Sequence, residues 1–283
     1  MSILSCLDGL SSLKSLSLAD LTFDSTSLYT FQIVLETISS KLLHLEVLDL
    51  SGNNLTNEIL PSLRGFKSLK ELYLDGIRLD SDLHIQELCA TILKNLEILD
   101  ISNNNFNNTD IGSALSGLSS LKNLNLAWNE ITPKSIHNIS KLRSLEILDL
   151  GENNLKLWPA ENHRFAWPSG LQVLVLNNND FSNDIISSIS GLSHLKSLDA
   201  SSNNLKGSLD ITENHGFAWP SSLQVISLSS NNFSNDIISF ISDLSRLKSL
   251  DLRSNNLKGS LDITDSYNLD LAISIIVSPS KSP

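Results

Sequence analysis

Asparagine recurs along this 283-residue chain at a fixed place in a repeated phrase: Asn53, Asn104, Asn129, Asn153, Asn179, Asn203, Asn231 and Asn255. A side-chain amide carries donors and an acceptor and does not titrate, so its chemistry is hydrogen bonding rather than proton transfer. Aspartate recurs too, at Asp49, Asp100, Asp149, Asp199 and Asp251. A column of carboxylates could meet a basic peptide, yet a solvated face of the repeat is the plainer reading. His163 and His215 stand 52 residues apart with no Cys, His or Glu clustered beside them, which argues against a metal. Cys6 and Cys89 are the only cysteines, about three repeats apart. That is too far for a disulfide, and Cys89 reads as a small buried hydrophobe. Neither a Gly-x-Ser-x-Gly elbow, a His-Glu-x-x-His, a phosphate-cradling Gly-x-x-x-x-Gly-Lys nor a kinase signature occurs. We therefore expect no catalysis, no cofactor and no metal.

Those amides need a scaffold that presents them at equal intervals. Each follows Leu-x-x-Leu-x-Leu, and copies of the phrase begin at Leu13, Leu45, Leu69, Leu96, Leu121, Leu145, Leu171, Leu195, Leu223 and Leu247. Leu-x-Leu has the two-residue period of a strand, so its leucines point inward and the intervening residues outward. Stacked copies line up as a parallel sheet. A chain turning out of a strand leaves N–H and C=O groups that the neighbouring strand cannot satisfy, and a buried amide supplies both partners. In register, the asparagines are expected to form a ladder from coil to coil. The copies at Leu13 and Leu69 have Leu21 and Ile77 where asparagine should stand. No single copy can fold alone, because each buries its leucines against its neighbours at roughly 1.5–3 kcal/mol apiece.

The spacing of the copies, mostly 24 to 28 residues, lies in the leucine-rich-repeat range. The expected fold class is an α/β solenoid, a horseshoe or superhelix with a parallel concave sheet and convex helices, 3-10 turns or loops. One domain over residues 1–262 with about ten repeats is expected, followed by an irregular tail at 263–283. Leu28, Phe31, Leu35 and Ile38 predict a convex helix between Phe23 and Leu45, and Ser81 to Leu93 predicts a second. Elsewhere Pro61, Pro133, Pro168 and Pro220 limit the outer side to short turns or 3-10 segments. Residues 171–210 and 223–262 are a duplication. Its loops carry Trp167-Pro168 and Trp219-Pro220, whose rings are expected to cover the core edge.

The net charge of −11 and a pI near 4.9 disfavour nucleic acid and anionic membrane as partners, since both call for a basic face. No basic leader opens the chain, which is expected to begin inside a repeat. The apolar run Leu271 to Val277 is too short to span a bilayer. Residues beside the inward leucines vary in kind and are the candidates for partner contact: Glu71, Tyr73, Asp75, Asn125, Trp128 and Val175, with Tyr73 and Trp128 as aromatic anchors. Asn54, Asn107, Asn138 and Asn232 head glycosylation sequons, a number that asparagine- and serine-rich composition supplies by chance.

Asn53-Asn54-Leu55-Thr56-Asn57-Glu58-Ile59, Asn203 to Leu209 and Asn255 to Leu261 resemble the extracellular repeats of plant receptor-like proteins and receptor-like kinases over roughly residues 10–262. The family's glycine survives at Gly207 and Gly259, while its proline is replaced by residues such as Leu60, Ile186 and Asp210. The resemblance implies a non-catalytic module that recognises a peptide or protein, with a co-receptor as a further partner, at the extracellular side of the plasma membrane in signalling or defence. Cap cysteines, leader and membrane helix, usual in that family, are not legible here, so a fragment or soluble relative is implied. The alternatives are a secreted inhibitor of a cell-wall hydrolase and an intracellular scaffold.

Overall fold

The computed structural model describes residues 10–21, 25–80, 85, 93–106, 110–136, 138–156, 166–206, 219–241, 244–258 and 274–276. The chain forms two compact units, Met1–Leu145 and Glu146–Pro283. In the first, three-residue strands β1 (Ser15–Ser17), β2 (Val47–Asp49), β3 (Glu71–Tyr73), β4 (Ile98–Asp100) and β5 (Asn123–Asn125) pair in parallel and in sequence order. In the second, β6 (Ile147–Asp149), β7 (Val173–Val175), β8 (Ser197–Asp199), β9 (Val225–Ser227), β10 (Ser249–Asp251) and β11 (Ser274–Ile276) do the same.

The register stacks like on like. Leu48, Leu72, Leu99 and Leu124 are successive Cα partners in one unit, and Leu148 and Leu174, then Leu198, Ile226 and Leu250, in the other. All are buried. Parallel strands need long crossovers, and here each crossover is the rest of the repeat. It carries more buried apolar groups, among them Phe66, Phe106, Phe181 and Phe233.

Helix α1 spans Ser25–Ser39 and turns Phe31, Leu35 and Ile38 into the core. It packs against a 3-10 helix at Asn57–Gly65, which Thr56 caps and which holds Pro61. Gly65 permits the approach, because a Cβ there would lie 2.1 Å from Ser39 Oγ and 2.6 Å from the Ser39 carbonyl carbon. The segment Ser81 to Leu93 falls almost wholly outside the described residues. Three further outer segments, expected as turns or 3-10 segments, are short α-helices: α2 (Ile111–Leu115), α3 (Asp184–Ile189) and α4 (Ile237–Ile241). Tertiary burial accounts for the difference, since Ile185, Ile186 and Ile189 sit on one inward face that a turn could not present. Asp110 caps α2, its Oδ1 accepting from the Ser113 N–H at 3.0 Å.

One conformational rule runs through every repeat. The residue four past the central leucine or isoleucine of the strand adopts a left-handed backbone: Asp20, Gly52, Gly76, Asn103, Trp128, Glu152, Asn178, Ser202, Ser230 and Ser254, with φ between 50° and 68°. That kink turns the next side chain back under the strand. Asn203 shows the result: Nδ2 donates to Leu176 O at 2.9 Å, Ala200 O at 3.2 Å and Ser201 O at 2.9 Å, while Oδ1 accepts from Phe181 N at 3.0 Å. Asn53, Asn104, Asn129, Asn179, Asn231 and Asn255 make the same pattern to the preceding coil. Asn153 donates to Leu150 O and Gly151 O at 3.0 Å each. Ile77 makes no such rung and is instead buried.

A second set of amides clips the other side of the coil. Asn183 Oδ1 accepts from Lys206 N at 3.0 Å, and its Nδ2 donates to Lys206 O at 3.4 Å. Asn235 does the same to Lys258 at 2.8 and 2.7 Å. Sequence reasoning missed these residues, whose signal is a Ser-Asn pair directly after Asn-x-Phe.

Candidate functional site

In the first unit the residues alternating with the buried leucines lie half-exposed on the solvent side of the sheet: Val47, Asp49, Glu71, Tyr73, Ile98, Asp100, Asn123 and Asn125. Tyr73 is central, with Asp49 and Asp100 as its Cα partners on the two flanking strands. Its hydroxyl donates to Glu71 Oε2 at 3.0 Å. Burial, then the Glu71 hydrogen bond and charge, then Asp100 and Asp49, push the phenol up to about 12, so it is a neutral donor.

Asp75 lies in the turn that follows. The Ser102 hydroxyl sits 3.1 Å from Asp75 Oδ1 and 2.6 Å from Asp100 Oδ1, and Asn125 Nδ2 donates to Asp100 Oδ2 at 2.9 Å. Burial, and then the charges of Asp100, Asp20 and Asp49, raise the Asp75 carboxyl above its ordinary value, against the lowering bond from Ser102. The sign follows from linkage. A carboxyl raised on folding opposes folding once the unfolded chain ionises, above about pH 3.9, and the opposition is complete above the folded value. Asp75→Asn is therefore expected to melt higher than the parent at pH 7, with the gap closing as the pH falls to 3.5. Thermal unfolding at the two pH values checks this.

The alternate aspartates have a local task. The backbone N–H two residues on donates to Asp49 Oδ1 at 3.0 Å, Asp100 at 2.9 Å, Asp149 at 2.8 Å, Asp199 at 2.9 Å and Asp251 at 3.0 Å, and to Asn125 Oδ1 at 3.0 Å. These are Asx turns, which close the strand before the left-handed residue. The second carboxylate oxygen points to other groups: Ser17 donates to Asp49 Oδ2 at 3.0 Å, and Arg253 to Asp251 Oδ2 at 2.6 Å. Arg253 holds the Asp251 carboxyl below its ordinary value.

Cations collect on the edge where the chain enters the sheet. Lys14 and Lys70 flank Glu46 at 3.0 and 2.8 Å, and Lys122 meets Glu97 at 2.6 Å. Lys70 and then Lys14 lower the Glu46 carboxyl, Lys122 lowers that of Glu97, and Glu46 raises Lys70. Such exposed pairs add little stability, but they keep these lysines at the edge. Glu46, Lys70, Glu97 and Lys122, with Ser68, Asn95 and Ser119, line an open groove of about 700 Å³. In the second unit Gln172 continues the pattern, donating to Glu146 and accepting from Lys196.

The structure thus brings Glu71, Tyr73, Asp75 and Asn125 onto one sheet and its turns. Trp128 follows Asn125 by three residues and is 61% exposed. Val175 belongs to the second unit, half-exposed on β7. Among the described left-handed residues Trp128 is also the only bulky aromatic, at φ 54°. For an L-residue that conformation costs about 1–2 kcal/mol, whereas Asn103 and Asn178 tolerate the same place. Trp128→Asn is expected to raise stability by about 1 kcal/mol in urea unfolding.

Trp167 and Trp219 are buried, and the Trp167 indole donates to Ser188 Oγ at 3.0 Å. His163, His215, Cys6, Cys89 and Asn107 lie outside the described residues. Asn54 and Asn232 are exposed, whereas Asn138 is half-buried and donates to Ser113 Oγ at 2.6 Å. Among the described residues no group of three or more His, Cys, Asp or Glu is placed to hold a metal ion, and no helix is long and apolar enough to cross a membrane.

The leucine rich repeat family matches residues 94–155 and, as single repeats, 44–66, 170–192 and 222–244. Receptor-like protein 35 of Arabidopsis thaliana is 34% identical over 280 residues, covering 89% of this chain and 28% of that protein. The chain belongs to the leucine-rich-repeat family, and over most of its length it is similar to a plant receptor-like protein. Receptor-like protein 7 of Arabidopsis thaliana is 37% identical over 177 residues, 60% of this chain and 16% of that one. This leucine-rich-repeat chain therefore spans well under a third of the length of these relatives. Among solved structures, a TDR receptor superposes with a TM-score of 0.62 at 23% identity, over 97% of this chain and 45% of that chain. An internalin of Listeria monocytogenes superposes at 0.60 and 17%, over 94% and 87%. At those identities the likeness is one of fold.

Proposed function

We propose that this chain is a non-catalytic recognition module of a cell-surface receptor, taking a peptide or protein ligand on the solvent face of its sheet in signalling or defence. One observation carries the reading: a leucine and asparagine frame that hardly changes from repeat to repeat presents outward residues that change at every strand, from Glu71 and Tyr73 to Ile98 and Asp100 to Asn123 and Asn125. Such a frame separates stability from specificity, so surface residues are free to match a partner. Tyr73 and Trp128 offer aromatic area at low entropic cost. The receptor-like relatives support the compartment, and Asn54 and Asn232 are exposed for carbohydrate.

The test is a binding comparison. A ligand selected on the parent chain from a secreted peptide library should bind Tyr73→Ala, Trp128→Ala at least tenfold more weakly, while circular dichroism shows the variant folded. Equal affinity would remove these residues from the site. Dose-dependent inhibition of a cell-wall hydrolase would replace the receptor reading with that of an inhibitor.

A further inference from the structure

We infer that the solvent face of β2 to β5 takes a cationic polypeptide segment with a basic residue at about every third position; the inference rests on the recognition reading above and names its ligand's chemistry. The charges of this unit are sorted between face and edge. The eight outward strand residues include Asp49, Glu71 and Asp100, with no lysine, arginine or histidine, and Asp75 adds a carboxylate in the turn beside them. Lys14, Lys70 and Lys122, each one residue ahead of a strand, are held at the edge in ion pairs with Glu46 and Glu97. The edge therefore holds three lysines to two glutamates, and the face keeps its negative charge.

The geometry of the face specifies more than charge. Asp49, Tyr73 and Asp100 are consecutive partners in register, so an aromatic ring lies between two carboxylates on adjoining strands. Carboxylates two strands apart are separated by about 9–10 Å, and a segment in the polyproline-II conformation, whose three-residue turn brings every third side chain back to one face, covers about 9 Å per turn. A segment crossing the strands would set successive cations over Asp49 and Asp100, with its backbone over Tyr73. The ring offers a cation–π contact and the neutral hydroxyl a donor. Anionic partners meet only repulsion here, and Val47 and Ile98 cover apolar parts of the ligand's side chains.

The test uses three fluorescein-labelled twelve-residue peptides in a Gly/Ser background: arginine at every third position, four contiguous arginines, and glutamate at every third position. Fluorescence anisotropy should show the spaced-arginine peptide binding best, with affinity falling at least tenfold from 50 to 500 mM NaCl. Asp49→Asn, Asp100→Asn keeps the Asx-turn acceptors and should weaken that peptide at least tenfold. Glu36→Gln, Asp236→Asn, which removes the same charge elsewhere, should change it less than twofold. Equal weakening by both pairs, or a glutamate peptide binding as well, overturns the inference. Equal binding of the two arginine peptides overturns the spacing. A selected ligand that needs Tyr73 and Trp128 but is indifferent to Asp49 and Asp100 sinks the cationic chemistry and leaves the recognition reading standing.

Discussion

Replacing Asn203 by alanine is expected to cost about 3–5 kcal/mol, several times the effect of the same change at Asn204 next to it. Asn203 is buried, whereas Asn204 is exposed. The variant loses the amide that joins Leu176 O, Ala200 O and Ser201 O and that receives the Phe181 N–H. Alanine replaces none of these, and the site is buried. The Phe181 N–H loses its acceptor, at about 1–3 kcal/mol, while Leu176 O, Ala200 O and Ser201 O keep Asn179 Nδ2, Asn231 Nδ2 and the Asn178 N–H and each lose one bond worth about 0.5–1.5 kcal/mol. Asn204→Ala, at an exposed position, should stay within about 0.5 kcal/mol. Equilibrium urea unfolding of both variants decides the matter. Similar midpoints would mean that the amide spine does not hold the coils together.

The second large effect is expected from Phe106→Ala, at about 3–5 kcal/mol. Phe106 is fully buried in the first unit, two residues beyond the Asn104 amide. Its ring fills the interior where the chain leaves the sheet for the outer segment. Its backbone N–H, which reaches Asn129 Oδ1 at 3.4 Å, is kept by alanine. The loss is then one of packing alone: burial of the ring plus a cavity that short, register-locked strands cannot collapse to fill. Calorimetry should show a melting temperature lower by about 10 °C. Phe106→Leu, which keeps most of the volume, should cost only about 1 kcal/mol. Because neighbouring repeats support one another, hydrogen exchange should rise first in the amides of β4 and β5.

What could be read in advance followed from short-range periodicity. Leu-x-Leu repeated at 24 to 28 residues dictates inward leucines and parallel stacking, and Phe31, Leu35 and Ile38 at helical spacing dictate α1. The aspartate column was legible as a column but not as a set of Asx turns. Its signal, a small residue two positions on in Asp49-Leu50-Ser51 or Asp149-Leu150-Gly151, is local and was available. The three short helices were hidden because five or six residues carry too little pattern, and only burial of Ile111, Ile185 or Ile237 against the core makes them helical.

The candidate site divides along the same line. Tyr73 and Trp128 stand out in the sequence as aromatics beside inward leucines, and that much is a property of a single strand. Asp49 and Asp100 flanking Tyr73, Ser102 reaching Asp75, and Lys70 tied to Glu46 join residues 24 to 27 positions apart. No period within one repeat encodes such pairs, because they come from the lateral register of neighbouring coils. The left-handed residue is harder still to see in advance. Aspartate, glycine, asparagine, tryptophan, glutamate and serine all occupy it, and it recurs even where Leu21 or Ile77 replaces the asparagine, so the demand for that backbone comes from the turn of the coil and not from any one side chain. The sequence by itself determined the repeat, the buried leucines and the amides available to bond. The tertiary structure alone decided which charges meet, which face stays negative and what Trp128 gives up in conformation, because these depend on strands held about 4.8 Å apart rather than on the order of residues within any one of them.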